Sequence, residues 1–305
     1  MRLLYLLEKI RFPAMDALMQ TITRLGEETA FLVLALIVFW CIDKKKGYYL
    51  LAVGFLGTLS NQFLKLVCRI PRPWVRDGNF TIVEAAREAA SGYSFPSGHS
   101  QTAVGTFGCL AYTAKRRYVR WICIAVMALV PFSRMYLGVH TPVDVLVGSA
   151  MALALVIGLQ PVVFSREDRP MKILLGVMLV SAALYMLYVQ LWKFPADVDA
   201  HDLESARKNA FTLLGCVLAV PIVYGVDRKV DFPVAAVWWV QILKIIGGLA
   251  LVLAVKEGLR APLELILPAP GARAVRYFLV VLTAGVLWPL SFRRLSKLGN
   301  KKEHP

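Results

Sequence analysis

The chain has 305 residues, of which 58% are hydrophobic, and a water-soluble domain would not need so much apolar sequence. The net charge of +15 does not predict nucleic-acid binding, because the Lys and Arg residues form short clusters between apolar runs and no recognition motif accompanies them. Five cysteines lack CxxC or paired spacing, so we interpret them as small side chains that face lipid or the protein core.

Residues 1–24 alternate apolar and basic positions, with leucines set against Arg2, Lys9 and Arg11. Pro13 interrupts this pattern, and the segment is too polar to cross a bilayer. We therefore predict an amphipathic helix that lies in the membrane interface. A frayed soluble tail is the alternative.

Beyond this segment the chain carries about nine apolar runs, most of them close to the roughly 17 to 25 residues that cross a bilayer as a helix. A helix is required because backbone groups in lipid must pair within their own segment. The predicted fold class is all-α: a polytopic transmembrane helix bundle of about nine spans, preceded by the N-terminal interfacial helix. The predicted spans are residues 28–42, 48–67, 97–114, 119–133, 141–160, 172–192, 209–226, 234–256 and 274–291.

The basic residues predict the orientation of these spans. Once the motif residues described below and the N-terminal segment are set aside, most Lys and Arg lie in the connections after odd-numbered spans, as at Lys44–Lys46, and in the C-terminal tail. Such connections are typical of the cytoplasmic side. The N-terminus and the loop 68–96 would then face outward.

Three pieces of sequence place polar residues at the ends of predicted spans, where such residues are costly and usually serve a function. The first piece runs from Lys65 to Arg72 and Pro73, at the end of the second span. Lysine offers a compact point charge, and arginine offers a planar fork that matches two oxygens of a phosphate. Taken alone, the piece is also consistent with a basic stop signal.

The second piece, residues 95–100 with the sequence FPSGHS, opens the third span. Pro96 and Ser97 are typical of a helix start, whose unpaired N–H groups and partial positive charge favour an anion. Gly98 lets a ligand approach the backbone closely, and His99 places an ionisable imidazole beside it. A lone histidine at a helix start would more often be structural.

The third piece, residues 133–144, joins the fourth span to the fifth and carries Arg134, His140 and Asp144. His140 and Asp144 are four residues apart, so on a helix they share one face. A carboxylate there can hold one imidazole N–H and leave the other ring nitrogen as a lone-pair donor. By itself the pair is also consistent with a helix cap and a salt bridge.

All three pieces fall at the same predicted membrane face. Three cations, a helix N-terminus and two histidines converge there, which suits a phosphoryl transition state with charge on its equatorial oxygens, a nucleophile on one side and an acid opposite. The pieces match Lys-x6-Arg-Pro, Pro-Ser-Gly-His and Ser-Arg-x5-His-x3-Asp at every signature position. Over about residues 48–160, the chain thereby resembles the type-2 phosphatidic acid phosphatase superfamily.

The resemblance implies a role for each site residue. His140 would be the nucleophile that forms a phosphohistidine, oriented by Asp144, and His99 would protonate the leaving oxygen and later activate water. Neither a metal nor another cofactor is implied, and His201 and His304 have no metal-ligand spacing with the other two histidines. The implied substrate-binding residues are Lys65, Arg72, Ser97, Gly98 and Arg134.

On this basis we divide the chain into three parts. Residues 1–24 form the interfacial amphipathic segment, and residues 25–164 form the catalytic transmembrane core with the three phosphatase motifs. Residues 165–305 add transmembrane helices of unknown role and a basic cytoplasmic tail. Lys244 lies inside an apolar run of this third part, where a lysine is either a functional residue or one that pairs within the structure.

The leading prediction is a metal-independent integral-membrane phosphatase that hydrolyses a lipid phosphate monoester or diphosphate. It would act in a bacterial-type plasma membrane, with the active site on the outer face. One alternative substrate is a small soluble phosphate such as a sugar phosphate, since about nine spans with an outward N-terminus are similar to the glucose-6-phosphatase layout. A phosphate-lipid transporter is the other alternative, because the spans in residues 172–291 carry no motif.

Overall fold

The computed structural model describes residues 1–196 and 198–298, and this part of the chain contains helices and connecting loops without a strand. His304 lies outside the described residues, as do Lys301 and Lys302 of the predicted basic tail. In chain order the helices are α1 (Arg2–Glu8), α2 (Pro13–Thr23), α3 (Glu28–Cys41), α4 (Lys44–Cys68), α5 (Pro73–Arg76), α6 (Gly98–Thr113), α7 (Arg117–Tyr136), α8 (Pro142–Val163), α9 (Asp168–Leu191), α10 (Ala200–Val230), α11 (Trp238–Gly258), α12 (Arg260–Ile266), α13 (Ala269–Leu282), α14 (Trp288–Leu290) and α15 (Phe292–Leu298).

Within the described residues, seven helical segments are long and apolar enough to cross a membrane. They confirm the predicted all-α transmembrane bundle, and the chain is an integral membrane protein. The seven segments are Lys44–Arg76, Arg117–Tyr136, Pro142–Val163, Asp168–Leu191, Ala200–Val230, Trp238–Ile266 and Ala269–Leu290.

The predicted spans 28–42 and 97–114 correspond to shorter helices, so the predicted number of nine is approximate. Helix α3 has 14 residues and α6 has 16; at about 1.5 Å per residue, both are shorter than a hydrocarbon core of about 30 Å.

The chain clusters into two compact units, and the first comprises Met1–Leu32, Tyr49–Pro161 and Ala196–Asp202. In this unit α6 packs against α7, and both α1 and α2 pack against α7. The division at residues 24 and 164 drawn from the sequence stays a prediction. All three signature pieces belong to the first unit.

The N-terminal segment forms two helices, α1 and α2, which separate near Pro13 as its ring requires. Arg11 ties the segment to the first unit, because its Nε donates to the Tyr136 carbonyl at 2.9 Å and its Nη1 donates to the Thr81 carbonyl at 2.7 Å. Gly138 has a φ of +82°, a conformation that suits glycine, and a Cβ there would lie 2.8 Å from Arg11 Nη2. The interfacial position of this segment stays a prediction.

The second unit comprises Val33–Tyr48, Val162–Pro195 and the described part of Leu203–Pro305. Its interior contains Trp40, whose Nε1 donates to the Ala284 carbonyl at 2.8 Å. A Cβ on Gly248 would lie within 2.6 Å of the Trp40 ring, so this contact requires glycine. Ala284 belongs to a π-helical turn, Thr283–Leu287, which redirects the chain before α14.

Lys244 on α11 is fully buried, with 0% of its surface exposed. Its Nζ donates to the carbonyls of Pro233 at 3.1 Å and Val234 at 3.0 Å. The same Nζ lies 4.5 Å from the centre of the Phe292 ring, within cation–π range. These contacts explain the buried lysine as a structural residue, because Lys244 holds the segment before α11 in place.

Candidate active site

A cavity of about 270 Å³ lies in the first unit. Every site residue predicted from the sequence lines it except Ser97 and Asp144, which are buried with 0% and 1% of their surface exposed. The lining residues among the predicted set are Lys65, Arg72, Gly98, His99, Arg134 and His140. The three signature pieces thus meet at one place.

Arg72 is fixed by backbone carbonyls around its guanidinium. Its Nε donates to Gly92 O at 2.8 Å, and its Nη2 donates to Ser91 O at 2.8 Å. Its Nη1 donates to Val139 O at 3.0 Å and lies 2.9 Å from His140 Nε2. Because a guanidinium has no acceptor, His140 Nε2 accepts this bond, and the neutral imidazole carries its proton on Nδ1.

His140 lies in the turn between α7 and α8, since α8 begins at Pro142. Burial lowers the pKa of His140, and the nearby guanidinium of Arg72 lowers it further. The imidazole is therefore neutral at pH 7, with a lone pair on Nε2, the nitrogen that accepts from Arg72. Such a lone pair is what a nucleophile requires.

Asp144 does not contact His140 in the way that helical spacing predicted. The pair does not share a helix face, and His140 Nδ1 lies 3.7 Å from Asp144 Oδ2, beyond a good hydrogen bond. The same oxygen accepts from the backbone N–H of Thr141 at 2.7 Å and from the Ser94 hydroxyl at 2.6 Å. Ser94 lies before the second signature, so motif spacing did not indicate it.

The start of α6 forms one wall of the cavity. Ser97 caps this helix and accepts a bond from Ser100 N at 3.4 Å, as the sequence predicted. His99 Nε2 is buried and has no hydrogen-bond partner among the described residues. A buried polar nitrogen without a partner is costly, so a substrate oxygen or a water is its natural partner here.

Arg134 lies near the end of α7 and has 1% of its surface exposed. Its Nη1 donates to Thr23 Oγ1 at 3.0 Å. Its Nε and Nη2 are buried and find no partner in residues 1–196 and 198–298. A buried guanidinium with two unused donor nitrogens is suited to an anion. Thr23, in the segment predicted to be interfacial, was not anticipated as part of the site.

Lys65 lies near the end of α4 and lines the cavity together with Glu27 and Glu28. The two carboxylates lie at the start of α3, where the helix dipole favours an acid. The cavity thus combines three cations with two acids that lie outside the three signatures.

No group of three or more His, Cys, Asp and Glu side chains within the described residues is arranged to hold a metal ion. The cavity is lined by a lysine, two guanidinium groups and two imidazoles, beside hydroxyl, amide and carboxylate side chains. The three cations are suited to phosphoryl oxygens.

The fold and the cavity define an α-helical integral membrane protein with a buried set of cations, two histidines and a helix N-terminus. Residues 45–168 match the PAP2 superfamily, the abbreviated name of the type-2 phosphatidic acid phosphatases. Residues 211–302 match the PAP2 superfamily phosphatase transmembrane extension. The chain belongs to the PAP2 superfamily, whose phosphatases hydrolyse phosphate esters.

Two relatives from Bacillus subtilis (strain 168) support this membership. Undecaprenyl-diphosphatase BcrC is 30% identical over 158 residues, which cover 51% of this chain and 78% of that protein. Phosphatidylglycerophosphatase B is 32% identical over 159 residues, covering 48% of this chain and 74% of that protein. The crystal structure of Aquifex aeolicus LpxE aligns with a TM-score of 0.46 at 24% identity, covering 51% of this chain and 91% of that chain.

Proposed function

We propose that this protein is a metal-independent phosphatase that hydrolyses a lipid phosphate monoester or diphosphate through a phosphohistidine intermediate. The observation that carries the proposal is the position of His140 Nε2, which lies 2.9 Å from Arg72 Nη1 and lines the same cavity as Arg134 and His99. A nucleophile and the unused donors of Arg134 and His99 thus face one volume.

Each residue has one role in the proposed reaction. His140 Nε2 attacks phosphorus, the bond to the leaving oxygen breaks, and His99 supplies the proton that this oxygen takes up. Water then attacks the phosphohistidine, His99 accepts the water proton, and the electron pair of the N–P bond returns to Nε2. Asp144 orients His140, while the phosphoryl oxygens are held by Lys65, Arg72, Ser97, the backbone of Gly98 and Arg134.

The nucleophile is tested by His140→Ala. We expect phosphate release to fall to background while the protein remains folded and inserted in the membrane, because the side chain proposed to form the covalent intermediate is removed. Stopping the wild-type reaction early should trap a phosphoenzyme that is labile in acid and stable in base. The matched control is His201→Ala, which removes an exposed histidine and should keep full activity. Full activity of His140→Ala would refute the mechanism.

A lipid substrate is favoured by the membrane-embedded fold and by the names of the relatives, which refer to undecaprenyl diphosphate and phosphatidylglycerophosphate. Phosphate release should be measured in EDTA with four compounds: undecaprenyl diphosphate, phosphatidate, phosphatidylglycerophosphate and glucose 6-phosphate. Release from a lipid supports the proposal, including its metal independence. Release from glucose 6-phosphate alone supports the soluble-phosphate alternative, and release from none supports transport.

We further propose that the cavity opens toward the outer face of a bacterial-type plasma membrane. The basis is the excess of Lys and Arg in the connections after odd-numbered spans. In a cysteine-free background, Asn79→Cys in the loop after α5 and Glu167→Cys before α9 both place the thiol at an exposed position. An impermeant reagent should label only position 79 in intact cells, and labelling only at position 167 would reverse the orientation.

A further inference from the structure

The buried hydroxyl of Ser94 lies between the carboxylate of Asp144 and the imidazole of His140. Ser94 Oγ is 2.6 Å from Asp144 Oδ2 and 3.5 Å from His140 Nδ1, whereas Nδ1 and Oδ2 are 3.7 Å apart. Ser94 has 0% of its surface exposed, so bulk water does not compete for this hydroxyl. The serine is closer to both partners than they are to each other.

The direction of each hydrogen bond follows from the donors present. Arg72 donates to His140 Nε2, so the neutral ring carries its hydrogen on Nδ1. Ser94 has one hydroxyl hydrogen, and an ionised carboxylate can only accept, so this hydrogen goes to Asp144. The lone pairs of Ser94 Oγ are left to accept a long hydrogen bond from Nδ1–H, at 3.5 Å. The bonds therefore run from Arg72 through His140 and Ser94 to Asp144.

We propose that Ser94 is a positioning residue, through which Asp144 fixes and polarises the imidazole of His140. The inference rests on the proposed function and adds to it a residue outside the three signatures. Ser94 forms no bond to phosphorus and contacts no substrate atom. It acts on the nucleophile alone.

The proposed role matters most when the phosphohistidine forms. As His140 Nε2 bonds to phosphorus, the ring gains positive charge, and Nδ1–H becomes a stronger donor to Ser94 Oγ. The hydroxyl is already polarised by the Asp144 carboxylate, so the added charge is stabilised without any proton leaving Nδ1. When water cleaves the N–P bond, the electron pair returns to Nε2 and the ring is neutral again.

The backbone holds Ser94 in this place. Its N–H donates to the carbonyl of Ile70 at 2.8 Å, which ties the segment before the second signature to the segment that carries Arg72. The acceptor carboxylate is fixed as well, because Thr141 N donates to Asp144 Oδ2 at 2.7 Å. With both neighbours fixed, the hydroxyl has little freedom to turn away from the imidazole.

A double-mutant cycle between Ser94 and Asp144 tests the inference. We expect Ser94→Ala to lower kcat by about 10- to 100-fold, as for the loss of one hydrogen bond to a developing charge, with KM unchanged because no substrate contact is lost. Asp144→Asn should lower kcat at least as much. If Asp144 acts through Ser94, the double variant should be no slower than Asp144→Asn alone.

Full activity of Ser94→Ala, or multiplicative losses in the double variant, would overturn the inference, since Asp144 would then act on His140 without the serine. Ser94→Thr keeps the hydroxyl and should recover most of the rate. If Ser94→Ala lowers thermal stability, Ser94→Cys carries the same test, because a thiol is a weaker donor and acceptor. An unchanged inhibition constant for inorganic phosphate shows that the site is folded in each variant.

The matched control is Ser181→Ala on α9, whose hydroxyl donates to the Met178 carbonyl at 3.0 Å in the second unit. It should leave kcat and KM unchanged. Failure of the proposed function gives a different result, because the wild type would then release no phosphate from any lipid in the panel. If the wild type is active but the losses in the double variant are multiplicative, only the role of Ser94 is refuted, and the proposed function stands.

Discussion

Arg134 in the first unit and Lys244 in the second are both cations with almost no solvent exposure, 1% and 0%. Lys244 donates to two backbone carbonyls and lies over an aromatic ring. Arg134 donates to one hydroxyl and leaves two nitrogens without a partner in the described chain. A buried cation that is fully paired stabilises the fold, whereas one left with free donors in a cavity is prepared for a ligand.

The largest effect should come from Arg134→Gln. We expect phosphate release to fall by about 10²- to 10³-fold, as for the loss of one donor to a transition-state oxyanion. Thermal stability in detergent should hold or rise, since few partners are lost. Arg120→Gln, at an exposed position on the same helix, is the control. If Arg134→Gln instead lost much stability and kept normal kinetics, Arg134 would be a structural cation like Lys244.

Lys244→Met should show the opposite pattern. The carbonyl of Pro233 loses its donor, so we expect the unfolding free energy to fall by about 1–3 kcal/mol, with kcat and KM unchanged. The measurement is the melting temperature in detergent beside the rate of phosphate release. Lys256→Met, at a partly exposed position on α11, serves as control. Lost activity at an unchanged melting temperature would instead make Lys244 functional.

A smaller effect is expected from Thr23→Val, which removes the hydroxyl that holds Arg134 Nη1. We expect kcat/KM to fall by about tenfold, the value of roughly one hydrogen bond to a charged group. Thr23→Ser should restore the rate because it keeps the hydroxyl. Thr21→Val, on the exposed side of α2, should have no effect. Equal rates for Thr23→Val and wild type would mean that Arg134 needs no support from α2.

The helices and the main site residues could be predicted from the sequence for separate reasons. Apolar runs of bilayer length report on the helices directly, and the signatures lie at predicted span ends, so Arg134 and His99 fall on one face. The contributions of Thr23 and Ser94 could not be predicted. Their partners lie 111 and 50 residues away along the chain. Helical periodicity and motif spacing are local patterns, and they do not predict hydrogen bonds between residues so far apart in sequence.

Helices α3 and α6 lie within one residue of the predicted spans 28–42 and 97–114, although each is shorter than a hydrocarbon core of about 30 Å. The predicted helix face shared by His140 and Asp144 was wrong, although the two side chains do lie near each other. A spacing of four residues implies contact only inside a helix, and α8 begins after His140. Ser94 occupies the place that the direct contact would have taken.

The hydrogen bonds of Arg72 limit which cation can occupy position 72. The guanidinium at position 72 donates to three carbonyls and an imidazole nitrogen from one plane. A lysine ammonium has only three N–H bonds, fewer than these four acceptors, and they are not arranged in a planar fork. A change that preserves charge would therefore release the loop and the nucleophile together, and selection would treat it as a loss.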